Sequence, residues 1–142
     1  MLNHKEYKSI VYNIIGAAME VHRCLGWGLQ EHVYLEAMQL ELSERGIACE
    51  REKGVQCYYK QHRLEQFYRL DLLVGDVIVE LKSSSGLNAA HRAQLFNYLR
   101  LTKKPMGLLI NFGAISLQSE RYAYVKETNE CVLLDRNMDP VP

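Results

Sequence analysis

Little in this chain marks it as secreted, membrane-bound or repetitive. Only three prolines punctuate its 142 residues, and no internal repeat or low-complexity tract divides them. That length suits a single domain, here 1–142, able to bury roughly 68–70% of its unfolded surface. Cys24, Cys49, Cys57 and Cys131 show neither CxxC spacing nor a zinc-finger framework, and they read as reduced thiols of a cytosolic protein. No stretch approaches the length of a membrane span. The opening Met-Leu-Asn-His-Lys-Glu carries no apolar signal core. The expectation is a cytoplasmic protein without membrane contact. Net charge is missing too, since seventeen basic residues cancel seventeen acidic ones. Bulk charge therefore gives no hint of nucleic acid, and any face that binds it has to be local.

What is present centres on Arg69-Leu-Asp71-Leu-Leu-Val-Gly75-Asp76-Val-Ile-Val-Glu80-Leu-Lys82. Two β-branched and leucine-rich runs flank Gly75-Asp76, a good two-residue II′ hairpin turn. That turn sets Val74 opposite Val77, Leu72 opposite Val79, Asp71 opposite Glu80 and Arg69 opposite Lys82. With period-two alternation, Asp71, Glu80 and Lys82 emerge on one face, shared with Leu73 and Ile78. Like charges paired across a ladder destabilise it, so the two carboxylates call for a cation. Lys82 supplies one, and a divalent metal would be a stronger one. The alternative is a solvated hairpin face with alternating charges. Against it stands the apolar character of the rest of the hairpin, because a half-buried charged cluster is costly without a partner.

The surrounding periodicities predict a mixed α/β fold. Ile10, Ile14, Ala17, Val21 and Leu25 recur at helical spacing over about 5–25, until Gly26-Trp27-Gly28 breaks the pattern. A second helix is expected from about Leu29 to Arg45, capped by Gly46. Residues 47–60 read as strands turning near Lys53-Gly54, followed by the hairpin over about 66–82. Asn88 is a plausible N-cap for a helix over 89–102. Pro105 then introduces an apolar strand, Met106 to Phe112. Strand, helix and strand in succession suggest a right-handed crossover with 106–112 parallel to 77–82. Residues 121–125 and 131–134 form an outer hairpin in this scheme.

Other polar residues fall on informative faces. Glu31 shares a helix face with Tyr34, Leu35, Met38 and Leu42, which points it inward. The plainer alternative is a solvated carboxylate at the positive end of the helix. Gln94 and Tyr98 lie four apart on a face with His91 and Leu101. There Gln94 would reach the carboxylate cluster and hold a water or a phosphate oxygen, or the pair would be an ordinary core rim. His22 and His32 are possible ligands, though such histidines are more often structural or surface residues. Trp27 is a packing wedge or a stacking surface for a base. Arg92, Arg100, Lys103 and Lys104 would suit phosphate if they form a strip, and otherwise are solvated surface.

Asp71 followed by Glu80-Leu-Lys82 resembles the PD-(D/E)xK nuclease signature, with Leu70 in place of its proline. Gln94-Leu-Phe-Asn-Tyr98 looks like the QxxxY motif of that superfamily's exonuclease-like branch. Gly28-Leu-Gln-Glu31-His-Val-Tyr34 matches the pattern that names the GxxExxY proteins, a group placed in the same superfamily. Ile15 to His22, Tyr68 to Val74 and Gly107 to Phe112 are similar to that group as well. The resemblance covers about 10–125 and implies an αβββαβ core, a mixed sheet flanked by helices. It implies Mg²⁺- or Mn²⁺-dependent hydrolysis of a phosphodiester in DNA or RNA. In that scheme Asp71 and Glu80 bind the metal with the Leu81 carbonyl and waters, and Glu31 is a further ligand, direct or through water. Lys82 orients the attacking water, Gln94 positions the nucleophile or the phosphate, and Tyr34 and Tyr98 give support. Alternatives are a catalytically silent nucleic-acid-binding or assembly module, and a hydrolase of smaller phosphate esters. A homodimer or a further protein partner is compatible with the size.

Overall fold

The computed structural model describes residues 4–142. A short 3-10 turn, His4–Tyr7, leads into helix α1 (Lys8–Leu25), and α2 spans Glu31–Glu44. Val11, Ile14, Ala17, Ala18 and Val21 form the buried stripe of α1, whereas Leu25 faces solvent. Helix α2 ends in a Schellman motif. Gly46, at φ 74°, donates to the Ser43 carbonyl and Ile47 to that of Leu42, which satisfies carbonyls the helix leaves unpaired.

Six strands form one sheet in sequential order: β1 (Glu50–Tyr59), β2 (His62–Val74), β3 (Val77–Lys82), β4 (Met106–Asn111), β5 (Gln118–Val125) and β6 (Glu130–Leu134). All neighbours are antiparallel except β3 and β4, which are parallel and joined through α3 (Ala89–Thr102). The sequence order αβββαβ is therefore present, extended by the β5–β6 hairpin. Residues 50–59 run as one strand, so the turn expected at Lys53-Gly54 is not made. The chain reverses instead at Lys60-Gln61, between the pair Tyr59 and His62. Gly54 serves a close approach, because a Cβ there would come within 2.6 Å of the Phe67 ring.

Helices cover both faces of the sheet. Side chains of α1 and α2 pack with Leu72, Val74, Val77, Val79, Leu81, Leu108 and Ile110 on one side. On the other, Leu95, Tyr98 and Leu99 of α3 pack with Leu70, Ile78, Leu109 and Tyr122. Strands β3 and β4 are thus buried on both faces, which explains their nearly unbroken apolar runs. Asn88 caps α3 through a reciprocal capping box with His91, as its sequence position suggested.

Candidate active site

Gly75 takes φ 59° and Asp76 stays at negative φ, as a II′ turn requires. From this turn the β2–β3 ladder pairs Val74 with Val77, Leu73 with Ile78 and Leu72 with Val79, and there it stops. The cross-strand pairs expected for Asp71 with Glu80 and Arg69 with Lys82 are absent. Two carboxylates at ladder distance repel, and here the side chains replace the missing main-chain bonds. Glu80 Oε1 accepts the Asp71 N–H at 2.9 Å, and Asp71 Oδ2 accepts the Leu81 N–H at 2.8 Å. The alternation of β2 breaks at the same point. Leu70 packs towards α3, whereas Leu72 packs towards α1 and α2. On the far side of β2, the ladder omits the pair of Glu52 with Asp71, and Glu52 adopts φ 54°. Asp71 therefore sits in a local opening of the sheet.

Glu80 is only 2% exposed. Burial, and then the neighbouring Asp71 charge, raise its pKa well above the ordinary carboxylate range. Burial raises that of Asp71 too, partly opposed by the Leu81 hydrogen bond and by Lys82. Without a further cation, this pair resists carrying two negative charges. Lys82 donates to Gln94 Oε1, and Gln94 Nε2 donates to the Tyr98 hydroxyl at 3.1 Å. Tyr98 in turn packs edge-on against Tyr68. The i, i+4 spacing on α3 thus ties the signature lysine to the helix. Leu101, expected on the same buried face, is 40% exposed.

Glu31 is exposed, not turned inward. As the first residue of α2 it stays in solvent at the positive helix end, yet its charge is felt at both Asp71 and His91. Tyr34 explains its placement. The Tyr34 hydroxyl donates to the Gly26 carbonyl at 2.8 Å and accepts the Leu29 N–H at 3.0 Å, while its ring stacks on Phe112 at 4.5 Å. With Gly28 at φ 83°, this clasp fixes the turn that leads into α2. Tyr34 thereby fixes the backbone from which Glu31 projects. Trp27 remains 57% exposed and wedges nothing.

His91 and Asn111 belong to the surroundings of the site with no role foreseen for either. Partial burial and then Lys82 lower the pKa of His91, with Glu31 opposing. Asn111 is fully buried and gathers the loop after β3. Its Oδ1 accepts from Ser84 N and Gly113 N, and its Nδ2 donates to Ser84 O and to Gln118 Oε1. An amide ending the all-apolar run of β4 was the available signal. His22 is structural, with Nε2 3.0 Å from the Ala114 carbonyl, and His32 lies on the surface. The proposed basic strip is not free. Arg92 pairs with Glu120 through two bonds, Arg100 donates to the Asn129 carbonyl, Lys103 to the Tyr124 hydroxyl, and Lys104 to Asp76.

A family model of the PD-(D/E)XK nuclease superfamily matches residues 8–123. The chain belongs to that superfamily. The crystal structure of SSO0001 shares the fold of this superfamily member, with a TM-score of 0.52 at 14% identity. The likeness covers 82% of this chain and spans 59% of the length of SSO0001. No curated protein matches the sequence. PD-(D/E)XK nucleases generally use divalent metal ions, and the donors present fit such an ion. Two carboxylates converge, each with one oxygen committed to a main-chain N–H, which leaves the second oxygen of each for a hard cation. Among the described residues no three His, Cys, Asp or Glu side chains gather closely enough to hold a metal. Glu31 thus completes no three-residue cluster, and any ion held here keeps several waters, as Mg²⁺ does.

Proposed function

We propose that this chain is a divalent-metal-dependent nuclease, hydrolysing phosphodiester bonds in DNA or RNA, and that it belongs to the GxxExxY group. The observation that carries the reading is the buried Asp71–Glu80 pair, held against its own repulsion in an opening of the sheet beside Lys82. Asp71 and Glu80 would hold Mg²⁺ or Mn²⁺ through their uncommitted oxygens. The main-chain carbonyl of Leu81 would join them, since within a strand it points to the same side as the N–H that Asp71 accepts. A bound divalent ion supplies a lowered pKa for a coordinated water and offsets charge on the phosphoryl oxygens.

The remaining work falls to this chain's own groups. Lys82 spends one donor on Gln94 and keeps two for the attacking water and the developing negative charge. Gln94 fixes the direction of that ammonium group, and the Tyr98 hydroxyl fixes Gln94. Glu31, outside the carboxylate pair but within reach of its field, would act on the metal through water. The first test is cleavage of labelled single- and double-stranded DNA and RNA with Mg²⁺ or Mn²⁺, comparing the wild type with Lys82→Ala. Metal-dependent cleavage that falls by about 10²–10³ in the variant is expected. Folded wild-type protein that cleaves none of these substrates would sink the proposal and favour a silent binding module.

A further inference from the structure

The β1–β2 hairpin extends past the helical layers, and its outer half is composed unlike the rest of the chain. From Lys53 to Arg69 there are four basic residues, Lys53, Lys60, Arg63 and Arg69, against the single acid Glu65. The whole protein carries seventeen of each sign, so this segment has a net charge of +3 and the remainder −3, with Lys53 ion-paired to Glu50 just below it. Large apolar groups share the surface. Tyr58 and Tyr59 are each 61% exposed and Phe67 is 47% exposed. Burying none of these rings in a core is unusual for so short a stretch, and surface patches of this kind mark interaction sites.

The arm also has a shaped recess. Between Gln56–Phe67 and Tyr58–Arg63 the register slips, with β2 carrying two more residues than β1. Beside this bulge lies a shallow, open depression lined by Gln56, Arg63, Leu64, Glu65 and Phe67. Its wall is Phe67, whose far edge lies over Gly54 and beside which the Arg69 guanidinium stands at 5.8 Å. Arg63 Nε donates to Gln56 Oε1 at 2.9 Å, which sets a guanidinium and an amide at the rim.

From this juxtaposition of exposed rings, a local excess of basic residues and a bulged strand, we propose that the β1–β2 arm binds single-stranded nucleic acid outside the catalytic centre. Tyr58 and Tyr59, on opposite faces of the strand, offer ring surface to unpaired bases, and Arg63 together with Lys60, which lies 5.4 Å over the Tyr59 ring, neutralises phosphates. Ring faces recognise only bases that are not already stacked in a duplex, so the arm selects single strands. The groups involved engage base and phosphate, chemistry that DNA and RNA share. The placement suits a nuclease, and the substrate role rests on the proposed activity. Phe67 and Asp71 are four residues apart on β2, about 13 Å at strand spacing.

The test is fluorescence anisotropy in EDTA, where nothing can be cleaved, with labelled single-stranded DNA and RNA and a duplex of the same sequence. The wild type is expected to bind either single strand at least tenfold more tightly than the duplex. Tyr58→Ala/Tyr59→Ala should weaken single-strand binding about tenfold or more. Lys60→Glu/Arg63→Glu should weaken it comparably and flatten its salt dependence. All altered side chains are exposed, and circular dichroism confirms folding. Equal affinity for duplex and single strand, or unchanged binding in both folded variants, overturns the proposal. So does a change in self-association, instead of nucleic-acid affinity, on sedimentation. Arm-dependent binding without cleavage would overturn the nuclease activity alone, and cleavage with arm-independent binding would overturn the arm alone.

Discussion

Glu80 Oε1 accepts the main-chain N–H of Asp71, the very residue whose carboxylate it repels. With the Leu81 N–H on Asp71 Oδ2, this arrangement substitutes two side-chain bonds for the ladder rung that the pair cannot form. It orients both carboxylates before any ligand arrives, and the cost is carried by the fold as raised pKa values.

That cost is measurable. The unfolded chain releases the Glu80 proton near 4.5, whereas the folded state retains it to higher pH. Between those values the folded state binds more protons, so stability of the metal-free protein falls as pH rises. Glu80→Gln removes the charge and keeps an acceptor for the Asp71 N–H. In EDTA at pH 7 the variant should melt at a higher temperature than the wild type, and its melting temperature should change less between pH 5 and 7. Adding Mg²⁺ should raise the wild-type value and leave that of the variant nearly unchanged. Calorimetry at two pH values checks all of this.

Gln94→Ala leaves Lys82 with its charge and without its guide. Metal-dependent cleavage should fall on the order of tenfold to 100-fold, through kcat more than KM, because the loss is one of orientation. The helix should be unaffected, since Gln94 is exposed and alanine is a strong helix former. An unchanged kcat in steady-state cleavage would remove Gln94 from the site.

Tyr34→Phe keeps the stacking on Phe112 and deletes both hydrogen bonds that close the turn before α2. A loss of about 1–2 kcal/mol in urea unfolding is expected. Glu31→Gln, at an exposed position, should shift stability by no more than about 0.5 kcal/mol. It should nevertheless weaken Mn²⁺ binding several-fold in titration calorimetry, because the Glu31 charge acts on Asp71.

Gly113→Ala tests the knot that supports the end of β3. A Cβ at this position would lie 2.1 Å from Ser84 N and 2.3 Å from Ser84 O, both backbone atoms. The loop after Lys82 must then shift, with an expected loss of about 1–3 kcal/mol in denaturant unfolding. Gly86→Ala is the control: its Cβ would meet no atom within 4 Å, and its stability should hold.

The sequence by itself determined whatever is written in a few consecutive residues. Gly75-Asp76 carries its turn, Asn88 its cap, Gly46 its helix end, and the apolar runs of β3 and β4 their burial on two faces, because backbone preference and periodicity act locally. The i, i+4 placement of Gln94 and Tyr98 on one helix face was legible for the same reason, whereas strand period alone paired Asp71 with Glu80 in a rung that the sheet does not make. Tertiary structure decided the rest. The ladder ends at Leu72–Val79, where Leu70 and Leu72 pack into opposite helical layers and the Asp71 and Glu80 carboxylates take main-chain N–H groups in place of the next rung. Glu31 stays in solvent because Tyr34 anchors the turn through Gly26, Leu29 and Phe112, so helix periodicity alone pointed it the wrong way. Likewise Lys53-Gly54 looked like a turn until the Phe67 ring, arriving from the neighbouring strand, required the glycine for its own approach. Burial and ladder continuity depend on which surfaces meet, and only the packed chain specifies that.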